Sequence, residues 1–218
     1  MRRCVTTPSR AYSQLQSATS GPDQVLPASD HRCWSPSGSV KLRLGPGSPA
    51  PVSIPTMFRR TVDRAPGQPA LWSRDPATGR DEVVSFEQYW ATVRCVARAW
   101  VSLGLAPHHG VSVLGHAAPR HHVANLATCH AGGFTAGMYL TNTAEACEYI
   151  ARDSASNIIV VGDTAQLHKI LSIRDNLPEL RAVVLFEGDT DIPGVITWPQ
   201  LLRIGIQLQC PHTVVASH

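Results

Sequence analysis

At 218 residues the chain has room for one or two domains, and a hydrophobic content of 43% supplies a core. Charged residues make up only 16%, below the usual share of about a quarter. The net charge of +3 is uneven: residues 1–50 hold six basic and two acidic groups, the remainder 13 and 14. A near-neutral body excludes the clustered Lys/Arg face of a nucleic-acid binder. The longest stretch free of Asp, Glu, Lys and Arg, 121–144, carries three His, two Asn and Gly132-Gly133, too polar to span a membrane.

Residues 1–55 contain eight Pro, four Gly and ten Ser. That density leaves too little apolar surface to offset chain entropy and predicts a disordered segment. The first 22 residues have three Arg and no acid, the bias of a mitochondrial transit peptide. Prolines at 8 and 22 leave little room for the amphipathic helix such a peptide needs, so plain disorder is the preferred reading. No secretory signal follows Arg2-Arg3, because Thr6-Thr7-Pro8 breaks the apolar run. The cysteines, Cys4, Cys33, Cys95, Cys129, Cys147 and Cys210, lie far apart with no C-x-x-C pair, which predicts free thiols in a reducing compartment such as the cytoplasm.

From about residue 56 the pattern becomes that of a folded domain. Val83-Val84 reads as a short extended run. Ser85 with Gln88 is a capping box. Phe86, Tyr89, Trp90, Val93, Ala97, Trp100 and Val101 then form the stripe of a helix with one buried face, closed by Gly104. A strand is predicted over Val111–Leu114, and a helix from Pro119 to Gly132-Gly133. A strand follows over Phe134–Leu140, then a helix capped by Asn142 and running to Asp153. Further strands are predicted at Asn157–Val161 and Ala182–Phe186, with a helix start at Asp163/Gln166 and a short helix at Thr197-Trp198-Pro199. Strands separated by helices predict an α/β fold with a mostly parallel sheet and flanking helices, in an order the sequence does not disclose. Ile206–His218 lacks period and caps and reads as an irregular tail. The expected organisation is therefore 1–55 tail, 56–205 domain, 206–218 tail.

Several stretches imitate functional motifs. Thr19-Ser20-Gly21 starts like a phosphate loop but runs into Pro22-Asp23 and lacks Lys. Gly132 to Gly137 resembles a dinucleotide glycine loop in the wrong order, leaving a helix for a strand; a helix C-cap with close helix–sheet approach explains it better. Histidines 108, 109, 116, 121, 122 and 130, with Cys129, invite a metal, but His122 and His130 are about 12 Å apart along one helix axis. Ser112 in Gly110-Val111-Ser112 lacks the second Gly and the turn of a nucleophile elbow. Trp90 and Trp100 fall on the apolar stripe and are expected in the core. No catalytic, cofactor-binding or metal-ligating residue is assigned.

Three stretches carry a family resemblance. Pro55-Thr56-Met57-Phe58 with Pro69-Ala70-Leu71, and Val84-Ser85-Phe86 with Leu103-Gly104-Leu105, resemble adenylate-forming enzymes. The run from Ala131-Gly132-Gly133 through Gly137–Ile150, with Lys169-Ile170-Leu171-Ser172-Ile173, is similar to bubblegum-type long-chain fatty acyl-CoA synthetases. The likeness is read over residues 55–203 and neither tail. It implies the amino-terminal fragment of a ligase that joins a long-chain fatty acid to coenzyme A, using ATP and Mg²⁺ through an acyl-adenylate. It also implies a cytoplasmic protein with peripheral attachment at the endoplasmic reticulum membrane. The family's Ser/Thr/Gly-rich loop ending in Pro-Lys does not occur after Ile173, nor do its hinge and lid. The expectation is a fragment that binds no cofactor alone, makes no acyl-CoA, and exposes an open sheet edge and an uncovered face prone to self-association or chaperone binding. The alternative is a non-catalytic module that pairs with a full-length synthetase.

Overall fold

The computed structural model describes residues 52–74 and 78–209. The transit-like segment, Thr19-Ser20-Gly21, Cys4, Cys33, Cys210 and residues 210–218 lie outside them.

Helix α1 (Ile54–Arg64) starts inside the segment that composition assigned to the tail. Ser53 caps it, accepting from the Thr56 N–H at 3.3 Å, and Phe58 and Val62 are its buried side chains. Strands β1 (Pro69–Arg74) and β2 (Asp81–Ser85) pair antiparallel as a separate ribbon. Its outer face sets Trp72 opposite Val83, 60% and 54% exposed. Helix α2 (Phe86–Ser102) has the expected capping box: Ser85 Oγ accepts from Gln88 N at 3.2 Å and Gln88 Oε1 from Ser85 N at 2.9 Å. Tyr89, Val93, Val96, Ala97 and Trp100 are buried, whereas Val101 faces solvent. Gly104 follows the helix at φ +90°, the left-handed stop that glycine adopts without strain.

The main sheet contains β3 (Gly110–Leu114), β4 (Phe134–Met138), β5 (Ile158–Val161), β6 (Ala182–Leu185) and β7 (Val195–Thr197). All four pairings are parallel, in the order β4-β3-β5-β6-β7. The helices between and after them are α3 (Pro119–His130), α4 (Ala144–Asp153), α5 (Thr164–Leu171) and α6 (Trp198–Gln207), with a 3₁₀ turn at Arg174–Asn176. Alternate residues of each strand point to opposite faces. Val111, Val113, Ile158, Val160 and Val184 pack with α1, α2, α3 and α6. Leu114, Ile159, Val161, Val183 and Leu185 pack with Cys147 and Ala151 of α4 and Leu167 and Ile170 of α5.

Every residue of β3, β5 and β6 is buried, so helices cover both faces of the central strands, whereas edge strand β4 buries only Met138 and leaves Phe134 exposed. Strand β7 had not been predicted. Helix α6 runs to Gln207, past the expected domain end. Strand β4 stops at Met138, and the cap of α4 is Thr143, not Asn142, with Thr143 Oγ1 accepting from Ala146 N at 3.2 Å.

Two close approaches set the layer spacing. A Cβ on Gly205 of α6 would overlap the Cys95 carbonyl of α2 and lie 2.7 Å from Cys95 Sγ. Arg98 Nε donates to Gly205 O at 2.9 Å beside it. Gly132 (φ +84°) ends α3, and a Cβ on Gly133 would sit 2.8 Å from His109 O. These two glycines serve the helix stop and close approach that their order in the chain implies.

Candidate functional site

In an open parallel sheet, ligands bind beyond the carboxyl ends of the strands, where successive connections leave for opposite faces. Here that point lies between the neighbours β3 and β5: β3 leads to α3 on one face, β5 to α5 on the other. The floor is bare backbone. Gly162 N donates to Leu114 O at 2.8 Å. A Cβ on Gly115 would lie 3.2 Å from Gly162 Cα, and one on Gly162 3.1 Å from Gly115 Cα.

Arg120 in the first turn of α3 bridges to the end of β6, its Nη1 donating to Phe186 O at 2.6 Å and lying 3.9 Å from Glu187 Oε1. Both side chains are substantially exposed, so the ion pair adds little stability. Burial, and secondarily the nearby His122, hold His121 below the ordinary imidazole range. Its Nδ1 is buried without a hydrogen-bond partner.

The βα turns do not fit a triphosphate. A phosphate needs free N–H groups at a helix start, with hydroxyls or cations beside them. Helix α3 begins with Ala118 and Pro119, which offer no hydroxyl and one N–H fewer. Asp163 caps α5 with a carboxylate, accepting from Gln166 N at 2.8 Å. Thr143 already caps α4, and Glu145 stands in its first turn. Thr197 and Gln200 close a capping box at α6.

The look-alike residues scatter. Ser112 is fully buried in β3 and bonds Ser156 Oγ at 2.7 Å. His109 Nδ1 meets Ala155 O at 2.9 Å, and His130 Nδ1 meets Leu126 O at 2.7 Å. Among the described residues no three His, Cys, Asp or Glu side chains come together as a ligand set. Trp100 lies in the core; Trp90 is half-buried between Arg59 and Arg94, 5.2 and 5.8 Å from its ring centroid. Cys95, Cys129 and Cys147 are free, with thiols pushed up by burial. The switch-point crevice itself escaped sequence reading because it depends on strand order; the Gly after β3 and the Gly-Asp after β5 were its only local signals.

Known proteins sharpen this picture. The family of AMP-binding enzymes matches residues 58–200. The long-chain-fatty-acid–CoA ligase ACSBG2 of Xenopus laevis is 36% identical over 187 residues, covering 83% of this chain and 25% of the ligase. The human ACSBG2 ligase is 37% identical over 185 residues, covering 80% and 27%. These alignments take in more of the chain than residues 55–203 hold, so the likeness reaches into at least one flanking segment set aside by the sequence reading. The chain spans about a quarter of the length of these relatives. In fold it matches the anthranilate CoA ligase AuaEII in complex with anthranoyl-AMP (TM-score 0.59, 22% identity, 72% of this chain and 28% of that one). It also matches acetoacetyl-CoA synthetase from Streptomyces lividans (TM-score 0.60, 22% identity, 69% and 25%). With the parallel sheet, its flanking helices and this match over most of the described residues, the chain belongs to the AMP-binding enzyme family.

Proposed function

We propose that the domain expected over residues 56–205, extended by its first and last helices to Ile54 and Gln207, forms the amino-terminal part of the large domain of a long-chain fatty acid–CoA ligase. We further propose that the 218-residue chain makes no acyl-CoA alone. The family reaction activates a carboxylate with ATP and passes the acyl group to coenzyme A. The observation carrying this reading is the set of βα turns: a proline start, an aspartate cap, a glutamate in a first turn and a closed capping box. At α3, where Arg120 supplies a cation, Pro119 removes an N–H, no hydroxyl caps the helix, and the guanidinium is already bonded to Phe186 O; the other starts are occupied by their own caps. Neither ATP, Mg²⁺ nor coenzyme A is expected to be held by these residues. Purified chain incubated with Mg-ATP, palmitate and coenzyme A should give no acyl-CoA by mass spectrometry; sustained turnover would falsify the proposal.

A second reading is a non-catalytic module that pairs with a full-length synthetase. The solvent-facing Trp72–Val83 pair supports it, since contiguous exposed apolar surface marks interaction sites. Self-association and chaperone binding draw on the same surface. Co-purification with a full-length ACSBG-type ligase, lost in Trp72→Ser, separates pairing from an inert fragment. No helix among the described residues is long and apolar enough to cross a membrane. The proposed location is the cytoplasm, with peripheral attachment to the endoplasmic reticulum by family resemblance and mitochondrial targeting as the lesser alternative.

A further inference from the structure

The connection from β4 to α4 is a tight turn in which Asn142 N donates to Tyr139 O at 3.0 Å. Two more of its carbonyls are claimed from a distant element: Lys169 Nζ on α5 donates to Leu140 O at 3.0 Å and to Asn142 O at 2.8 Å. Lys169 is half-buried, and Lys41 is the other lysine of the chain. A tetrahedral ammonium aims separate N–H groups at two diverging carbonyls; the planar fork of arginine fits the parallel oxygens of a carboxylate instead. Charge-assisted bonds of this kind are stronger than neutral ones. The turn opens with Tyr139, 77% exposed.

We propose that Lys169 is a positioning residue that clamps the backbone of the Tyr139–Asn142 turn at the carboxyl edge of the sheet. The clamp joins β4, at the edge of the sheet, to the helix that follows β5, two strands away. It therefore ties the orientation of the edge turn to the α4–α5 layer. This inference does not depend on whether the chain activates fatty acids.

The test is amide hydrogen exchange on the 218-residue chain with Lys169→Met and Lys169→Arg. Exchange at the Asn142 amide, bonded to Tyr139 O, should rise about tenfold or more in Lys169→Met and stay raised in Lys169→Arg, while peptides of α2 and α3 and the rest of α4 and α5 keep their protection. A lysine with a merely structural role would raise exchange throughout α4 and α5, and that result overturns the proposal. So does an unchanged turn in Lys169→Met, or full rescue by arginine. Should Lys169→Met fail to fold, trace labelling of the unmodified chain with acetic anhydride decides. The Lys169 amine should react at least about tenfold more slowly in the native chain than in urea; equal rates overturn the clamp.

Discussion

Ser112 and Ser156 share a buried hydroxyl–hydroxyl bond of 2.7 Å whose direction the surroundings fix. Ser154 Oγ donates to Ile150 O at 2.7 Å, so it accepts from Ser156, 2.7 Å away. Ser156 has then spent its proton and accepts from Ser112. Removing the head of the chain orphans no donor, so Ser112→Ala should cost about 1 kcal/mol. Removing the middle leaves the Ser112 hydroxyl buried with nothing to bond, so Ser156→Ala should cost about 2–3 kcal/mol. Urea midpoints of the two variants check this, and the reverse ranking would refute the assigned direction.

The contact of α6 with α2 leaves no space for a side chain at Gly205. Gly205→Ala should destabilise by about 3 kcal/mol, because the overlapped atom is backbone that has no rotamer to escape into. Gly137 on β4 is the control: nothing lies within 4 Å of a Cβ built there. Gly137→Ala should shift stability by less than about 1 kcal/mol. Both are measured by chemical denaturation.

Acid should weaken the fold through His121. Its folded-state affinity for a proton is depressed by burial and by His122, so the unfolded chain takes up the proton first as pH falls. The stability tied to this group is complete above the ordinary value of 6.5 and is lost as pH falls through the folded value. The urea midpoint should therefore drop between pH 7.5 and pH 5, and drop less in His121→Asn. Parallel curves for the two proteins would count against this role.

Ala155, just past α4, holds φ at +44°. A left-handed alanine carries Cβ strain that glycine does not, while glycine loses more backbone entropy on folding. The first effect outweighs the second here, and Ala155→Gly should raise stability by about 0.5 kcal/mol, read as a higher melting temperature.

Local chemistry was the legible part of this fold. Ser85 with Gln88, Asp163 with Gln166 and Gly104 past α2 occupy the cap positions that their types imply, because capping is decided within four residues. Asn142 misled for a tertiary reason: its carbonyl is held by Lys169, and the adjacent Thr143 takes the cap. Strand β4 was read two residues long for the same reason, since Leu140 O bonds an ammonium and not a neighbouring strand. Val101 continued the apolar period of α2 but is 59% exposed, with no described element packed over that part of the helix. The strand order, and with it the crevice at Gly115 and Gly162, depends on pairings between distant segments that no local pattern encodes.

Every described tryptophan belongs to one side of the molecule. Trp90, Trp100 and Trp198 join the layer of α1, α2, α3 and α6, and Trp72 rides on the ribbon packed against α2. Across the sheet, α4 and α5 contain no indole among their residues. Indole emission from the described residues would thus follow the melting of one layer and stay blind to fraying of the other. The tyrosines Tyr139 and Tyr149, or amide-level methods, are the reporters that see the opposite side.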